Sequence, residues 1–298
     1  MRKLTTLVLV LCLLLPIGFA YAEQDLFDLQ RRIVFNENDE FYVLTDEGTV
    51  FANDAGYTAH PETREWKDLE SIRVSWNIAL GLTKSGTVLA SVSDPEYASV
   101  VGQVSQWHDI RQIAVGYNCA FGLTADSAIV YAGNIDPDQQ ARLENNAEWG
   151  NIAYITAHDY LFALTDDGHV FSTMPEDFSG LNYIVDIVTD GTETVFLKED
   201  GTIIIYTEWE PGVGTFHIPD EGQILQVTYF DYSRIAELRE NHQFVVPLYS
   251  SLESFSDPRI IAISGYAWID NEGIIHMDQK RFGLDGVELP GFNLDPVR

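Results

Sequence analysis

One short hairpin recurs seven times along this chain, with copies that begin at Leu44, Leu82, Leu123, Leu164, Leu197, Leu238 and Ile269. A β-rich run such as Gly81-Leu82-Thr83 enters a polar turn ending in Gly86, and Thr87-Val88 opens the next β-rich run. The turn glycine supplies a positive φ that a side chain would resist. The last two copies, around Leu238 and Ile269, are worn. The intervals are 38, 41, 41, 33, 41 and 31 residues. An all-β repeat of this length builds one four-stranded blade per copy around a central axis. The expected fold class is therefore all-β, a seven-bladed β-propeller with blades of about 40 residues. Six full blades plus a degenerate piece is the alternative arithmetic.

A second feature keeps the same phase. Trp66, Trp107 and Trp149 stand 41 and 42 residues apart. Each precedes an apolar alternation: Ile72 and Val74, Ile113 and Val115, Ile152 and Ile155. That regularity marks the tryptophans as structural. The only helical excursion expected is one or two turns within Asp136 to Glu148.

The pattern Trp-x-Asp-Ile, Ile-Ala-x-Gly, Gly-Leu-Thr, Gly-Thr-Val resembles the regulator of chromosome condensation repeat in its short bacterial form. The best copy runs from Gln106 to Leu123, with Cys119 where the family often has His. The resemblance covers most of residues 27–280, is good from Leu44 to Gly201 and is poor after Leu225. It implies a seven-bladed propeller, usually closed by pairing a strand from each terminus. Here those strands would come from Leu29 to Phe35 and from the region after Gly273. Closure would remove an edge that invites aggregation. In repeat length and expected location the chain is also similar to secreted β-lactamase-inhibitor propellers. That similarity implies a protein-binding face, and no contact residue is carried over from it.

Location is read from residues 1–22. Arg2 and Lys3 precede an apolar run from Leu7 to Leu15, Pro16 and Gly18 interrupt it, and Ala20-Tyr21-Ala22 precedes Glu23. This is the pattern of a secretory signal peptide. The expectation is a bacterial-type exported protein, with residues 23–298 forming a single propeller domain. Leu11 before Cys12 argues against a lipid anchor. Cleavage would leave 276 residues, 46 acids, 15 bases and one cysteine, Cys119. No internal disulfide would then be possible. No second apolar stretch is long enough to span a membrane.

The charge excludes some partners. The full chain carries 46 acidic and 17 basic side chains, a formal charge of −29. It lacks the broad positive field that holds nucleic acid. It suits an anionic membrane surface equally poorly. Many of the acids, such as Asp166-Asp167 and Glu199-Asp200, fall in the hairpin turns, where they bond to local backbone.

Catalytic motifs are mostly missing: there is no Gly-x-Ser-x-Gly elbow, phosphate loop or His-Glu-x-x-His. Seven scattered histidines share no ligand spacing, and Cys119 falls in an expected inner strand as an inert thiol. Asn134-Ile135-Asp136-Pro137-Asp138 alternates oxygen ligands, but Gln139 and Asn145 replace the Gly and Glu of a calcium loop. No cofactor and no metal site is assigned. Asp159, Asp190 and Asp231 are the acids nearest to matching blade corners.

The strongest functional pattern is aromatic. Equivalent corners carry Trp76, Tyr117, His158 with Tyr160, Phe230 with Tyr232, and Tyr266. Equivalent corners lie on one propeller face, and such residues dominate binding hot spots. The expected function is a non-catalytic, monomeric, exported propeller that binds a macromolecule, mainly protein, through this face. Its acidity would select a partner with a basic patch. Two other classes stand open: a carbohydrate- or cell-wall-binding module, and a carboxylate-based hydrolase or lyase.

Overall fold

The computed structural model describes residues 31–35, 40–52, 59–144, 149–207, 213–216, 223–231, 234–248, 251–264, 267–271, 274–277, 280–283 and 288–289. Residues 1–22, read above as a signal peptide, lie outside these residues. Seven antiparallel sheets follow one another along the chain, each joined in simple up-and-down order. Blade 2 is representative, with an inner strand Leu69–Val74, a middle strand Ile78–Thr83 and a third strand Val88–Val92. The inner strands of successive blades touch one another around the axis. Seven sheets settle the count in favour of seven blades.

Among the described residues, blades 1 to 4 have three strands, blades 5 and 6 have four, and blade 7 has five. After the third strand of blades 1, 2 and 3 the chain turns helical at Pro61–Glu65, at Pro95–Tyr97 running into Ala98–Val104, and at Pro137–Glu144. Each segment opens on proline, which cannot donate to a sheet ladder and has a φ preset for a helix start. Val100, Val104 and Leu143 are buried against the blades, so these helices cover part of the outer edge.

The core is a set of seams rather than one centre. Ile78, Leu80 and Leu82 of blade 2 pack on Ile110, Ile113 and Val115 of blade 3. Similar clusters fill every other junction, including that between blades 7 and 1. Middle strands are therefore buried on both faces, and Cys119–Thr124 is almost wholly so. This explains their near-continuous apolar sequence.

Ring closure differs from the sequence expectation. Ile33–Phe35 pairs with Phe41–Leu44 of its own blade. The strands after Gly273 pair within blade 7. Among the described residues the two end blades meet through side chains: Ile33, Phe41 and Val43 pack on Ala262, Ala267 and Ile269. The Ser264 hydroxyl donates to the Ile33 carbonyl at 2.9 Å.

The repeated hairpin acts between blades as well as within them. Gly86 takes φ +79°, and its carbonyl accepts the Ile110 amide of the next blade at 3.1 Å. At Gly48 a Cβ would lie 2.8 Å from the Leu69 carbonyl, so close approach also excludes a side chain there. The third copy holds Ser127 at φ +66° instead. Ser127→Gly is expected to stabilise the protein by about 1 kcal/mol, the left-handed strain removed less the added chain entropy. Thermal unfolding of the two proteins side by side measures this.

The turn acids act as expected. Asp167 accepts the Thr165 hydroxyl, and that bond holds its carboxyl below the usual range. Two of the three phased tryptophans face glycines, and the copy after Trp149 has Ala163 instead. A Cβ on Gly81 would lie 2.7 Å from the Trp66 ring, and one on Gly122 would lie 3.1 Å from the Trp107 ring. The repeated Trp and the Gly of Gly-Leu-Thr are thus one packing unit.

Candidate functional site

Each inner strand ends at a corner, and the corners of blades 2 to 4 are tied together. The Asn77 side-chain amide donates to the Tyr117 carbonyl at 3.1 Å and to Asn118 Oδ1 at 2.9 Å. The Tyr117 amide donates to the His158 carbonyl at 3.1 Å. The Tyr117 and His158 rings lie 6.5 Å apart. His158 in turn sits against Gly191 of blade 5, where a Cβ would fall 2.2 Å from Nδ1. This seating requires Gly191.

Four of the seven expected face residues can be placed with their side chains. Trp76 is 36% exposed and Tyr117 46% exposed. His158 and Tyr160 are half-buried, and Tyr160 packs against the seam between blades 4 and 5. Phe230 lies in the inner strand of blade 6, described by its backbone only. Tyr232 and Tyr266 lie outside the described residues.

The remaining candidates are accounted for by local structure. Burial pushes the Cys119 thiol up to about 12, so it stays protonated at neutral pH. Asp190 accepts the amides of Thr192 and Glu193 and serves its own turn. Asp159 lies on the exposed corner, 3.4 Å from His158 Nδ1. Only the backbone of Asp231 is described. Asp136 accepts the Asp138 amide where the helix Pro137–Glu144 begins, so the alternating oxygens form a helix start. Among the described residues no group of three or more His, Cys, Asp or Glu is placed to hold a metal.

One constellation escapes sequence reading. Arg31 of blade 1 crosses the axis, placing its guanidinium 3.8 Å over the Tyr154 ring of blade 4. Its Nη2 donates to Asp186 Oδ1 of blade 5 at 3.3 Å. Asp186 is fully buried, and desolvation raises its carboxyl to about 6 against the opposing pull of Arg31. Arg73 Nη1 donates to the Arg31 carbonyl at 3.2 Å. Arg31, Glu70 and Arg111 hold the same place in their blades, just before Arg32-Ile33, Ser71-Ile72 and Gln112-Ile113. The register shift there in blades 2 and 3 turns one residue out of the ladder. Aligning the repeats at that position would have brought out Arg31, Glu70 and Arg111, but not Arg73, Tyr154 or Asp186.

No protein-family model matches the chain, and no curated protein matches it. Solved structures do. Prp20p of Saccharomyces cerevisiae aligns at 14% identity with TM-score 0.52, over 76% of this chain and 78% of that one. Human WBSCR16 aligns at 15% and 0.52, over 72% and 75%. The ectodomain of the Physcomitrella patens receptor kinase CR4 aligns at 11% and 0.53, over 84% and 71%. At such identities the likeness is one of fold. The chain has a seven-bladed β-propeller fold like that of the chromosome-condensation regulators.

Proposed function

We propose that this protein is a non-catalytic propeller that captures another macromolecule, mainly protein, through its corner face. The observation that carries the reading is the exposed pair Trp76 and Tyr117 on corners linked by Asn77. Large aromatic rings on a rigid frame bind at low entropic cost. Among fold neighbours, Prp20p is described with binding properties to Gsp1p and histones. The charge of −29 favours a partner with a basic patch and speeds encounter at low salt. Residues 1–22 support export, and the capture, inhibitor-like or otherwise, would then take place outside the cytoplasm.

The double variant Trp76→Ala, Tyr117→Ala is expected to lose capture from the envelope and medium of the producing cell, with an unchanged melting temperature. A matching fall in stability would instead make both rings core residues. Retention on polysaccharide alone would favour the carbohydrate-binding class. Turnover in a broad glycan and ester screen would overturn the non-catalytic reading.

A further inference from the structure

We propose that the axial mouth on the opposite, turn-bearing face binds a small polar monocarboxylate of sugar-acid size, with Arg111 as its principal contact. A cavity of about 440 Å³ opens there, walled by blades 1 to 3. Four guanidinium groups line it, those of Arg31, Arg32, Arg73 and Arg111, against the carboxylates of Asp46 and Glu70. That balance reverses the chain's own ratio of 46 acids to 17 bases.

The four are not equivalent. Arg32 donates twice to the Leu44 carbonyl and pairs with Asp46 at 2.7 Å. Arg31 is engaged across the axis by Asp186. Arg111 donates to the carbonyls of Thr124 and Ile152 and to the Ser127 hydroxyl. All three are neutral acceptors, and among the described residues no carboxylate lies within ion-pair distance of Arg111. Its partial burial lowers its pKa with no opposing charge. A partly desolvated guanidinium fixed by carbonyls is a preorganised cation that an incoming anion completes.

The lining narrows the ligand. With Nε and Nη2 committed to Thr124, Ile152 and Ser127, the Nη1 group of Arg111 is left to donate to an incoming carboxylate oxygen. Asp46 and Glu70 alongside disfavour a dianion such as phosphate. Ser71 offers a hydroxyl, while that of Thr45 is bonded to Thr49. Gln112 gives its Oε1 to the Ile155 amide at 2.8 Å, which leaves its NH2 group as a donor. Among the described residues the only apolar side chains in the lining are Leu44 and Leu69, which favours a hydroxyl-rich ligand. The volume lies in the small-molecule range.

Isothermal titration of the protein with sodium glucuronate at pH 7.5 tests this, with methyl glucoside and inorganic phosphate as comparisons. Saturable glucuronate binding is expected, with the neutral glycoside and phosphate at least tenfold weaker. Arg111→Gln should weaken glucuronate at least tenfold. Arg111→Lys, which keeps the charge and loses the carbonyl bonds that fix the guanidinium, should fall between and serves if the first variant fails to fold. Absence of saturable glucuronate binding would overturn the proposal. So would unchanged affinity in a folded Arg111 variant, or phosphate binding more tightly than glucuronate. Corner variants at Trp76 and Tyr117 should leave this binding intact, which keeps the two faces separable.

Discussion

Arg31→Ala is expected to destabilise the propeller by about 3–5 kcal/mol at pH 8 and by much less at pH 5. The reason lies in its partner. Asp186 is fully buried on the inner strand of blade 5, and Arg31 is its ion-pair partner across the axis. Its carboxyl titrates near 6 in the folded protein, above the ordinary value of 3.8. The folded state therefore holds a proton that the unfolded state has released between these values. Stability is greatest below that window and declines as pH rises through it. Removing Arg31 takes away an interaction that lowers the carboxyl, so the window extends upward and the loss at pH 8 grows. At pH 5 Asp186 is mostly protonated and misses its partner less. Urea unfolding at the two pH values measures the difference. Pairing Arg31→Ala with Asp186→Asn should recover most of the loss at pH 8. A deficit that ignores pH would mean that Arg31 acts through its packing on Tyr154 instead.

The second large effect contrasts two tryptophans in blade 2. Trp66→Ala should cost about 3–5 kcal/mol, as expected for truncating a buried aromatic. Trp76→Ala should cost about 0.5 kcal/mol or less, as expected at the surface. Trp66 is 9% exposed and lies on Gly81 and beside the seam of blades 1 and 2. No neighbouring side chain can relax into the gap on the Gly81 side, because the glycine has none. Trp76 stands on the exposed corner. Equal losses in chemical denaturation would erase the distinction between the repeat's frame and its binding face.

What the sequence revealed follows from what the repeat enforces. The turn glycines and the Trp–Gly unit must recur because each blade meets its neighbour in the same way, so period and phase exposed them. Trp76 and Tyr117 were legible because their corners repeat. His158 was placed at its corner, but its seat on Gly191 belongs to the next blade and has no local sign. The helices replacing outer strands in blades 1 to 3 were marked by Pro61, Pro95 and Pro137, yet only the third was expected. Its polar run Asp136 to Glu144 stands out, whereas Ala98–Val104 has the apolar composition of a strand. The axial arginines were hidden for a different reason. Arg31, Arg73 and Arg111 are spaced by roughly one blade each, and total charge averages them away among 46 acids. They line one mouth because blades 1 to 3 are neighbours, and Arg31 reaches Tyr154 and Asp186 only across the ring.

That closure sets an order of assembly. Most seams join segments about one repeat apart, so neighbouring blades can condense pairwise with modest loop entropy. The junction of blades 7 and 1 joins residues as far apart as Ile33 and Ser264, a separation of 231. Among the described residues it is held by packing and this hydrogen bond rather than by a shared strand ladder, and it is the clasp of the disc. An arc of blades is expected to grow first and the clasp to shut last, an order that pulse-labelled hydrogen exchange would check. By the same energetics the clasp is the place where the folded ring springs open earliest. Arg31 stands two residues from that clasp and reaches across to blade 5. It works as a spoke, coupling the integrity of the hub to the fastening of the rim.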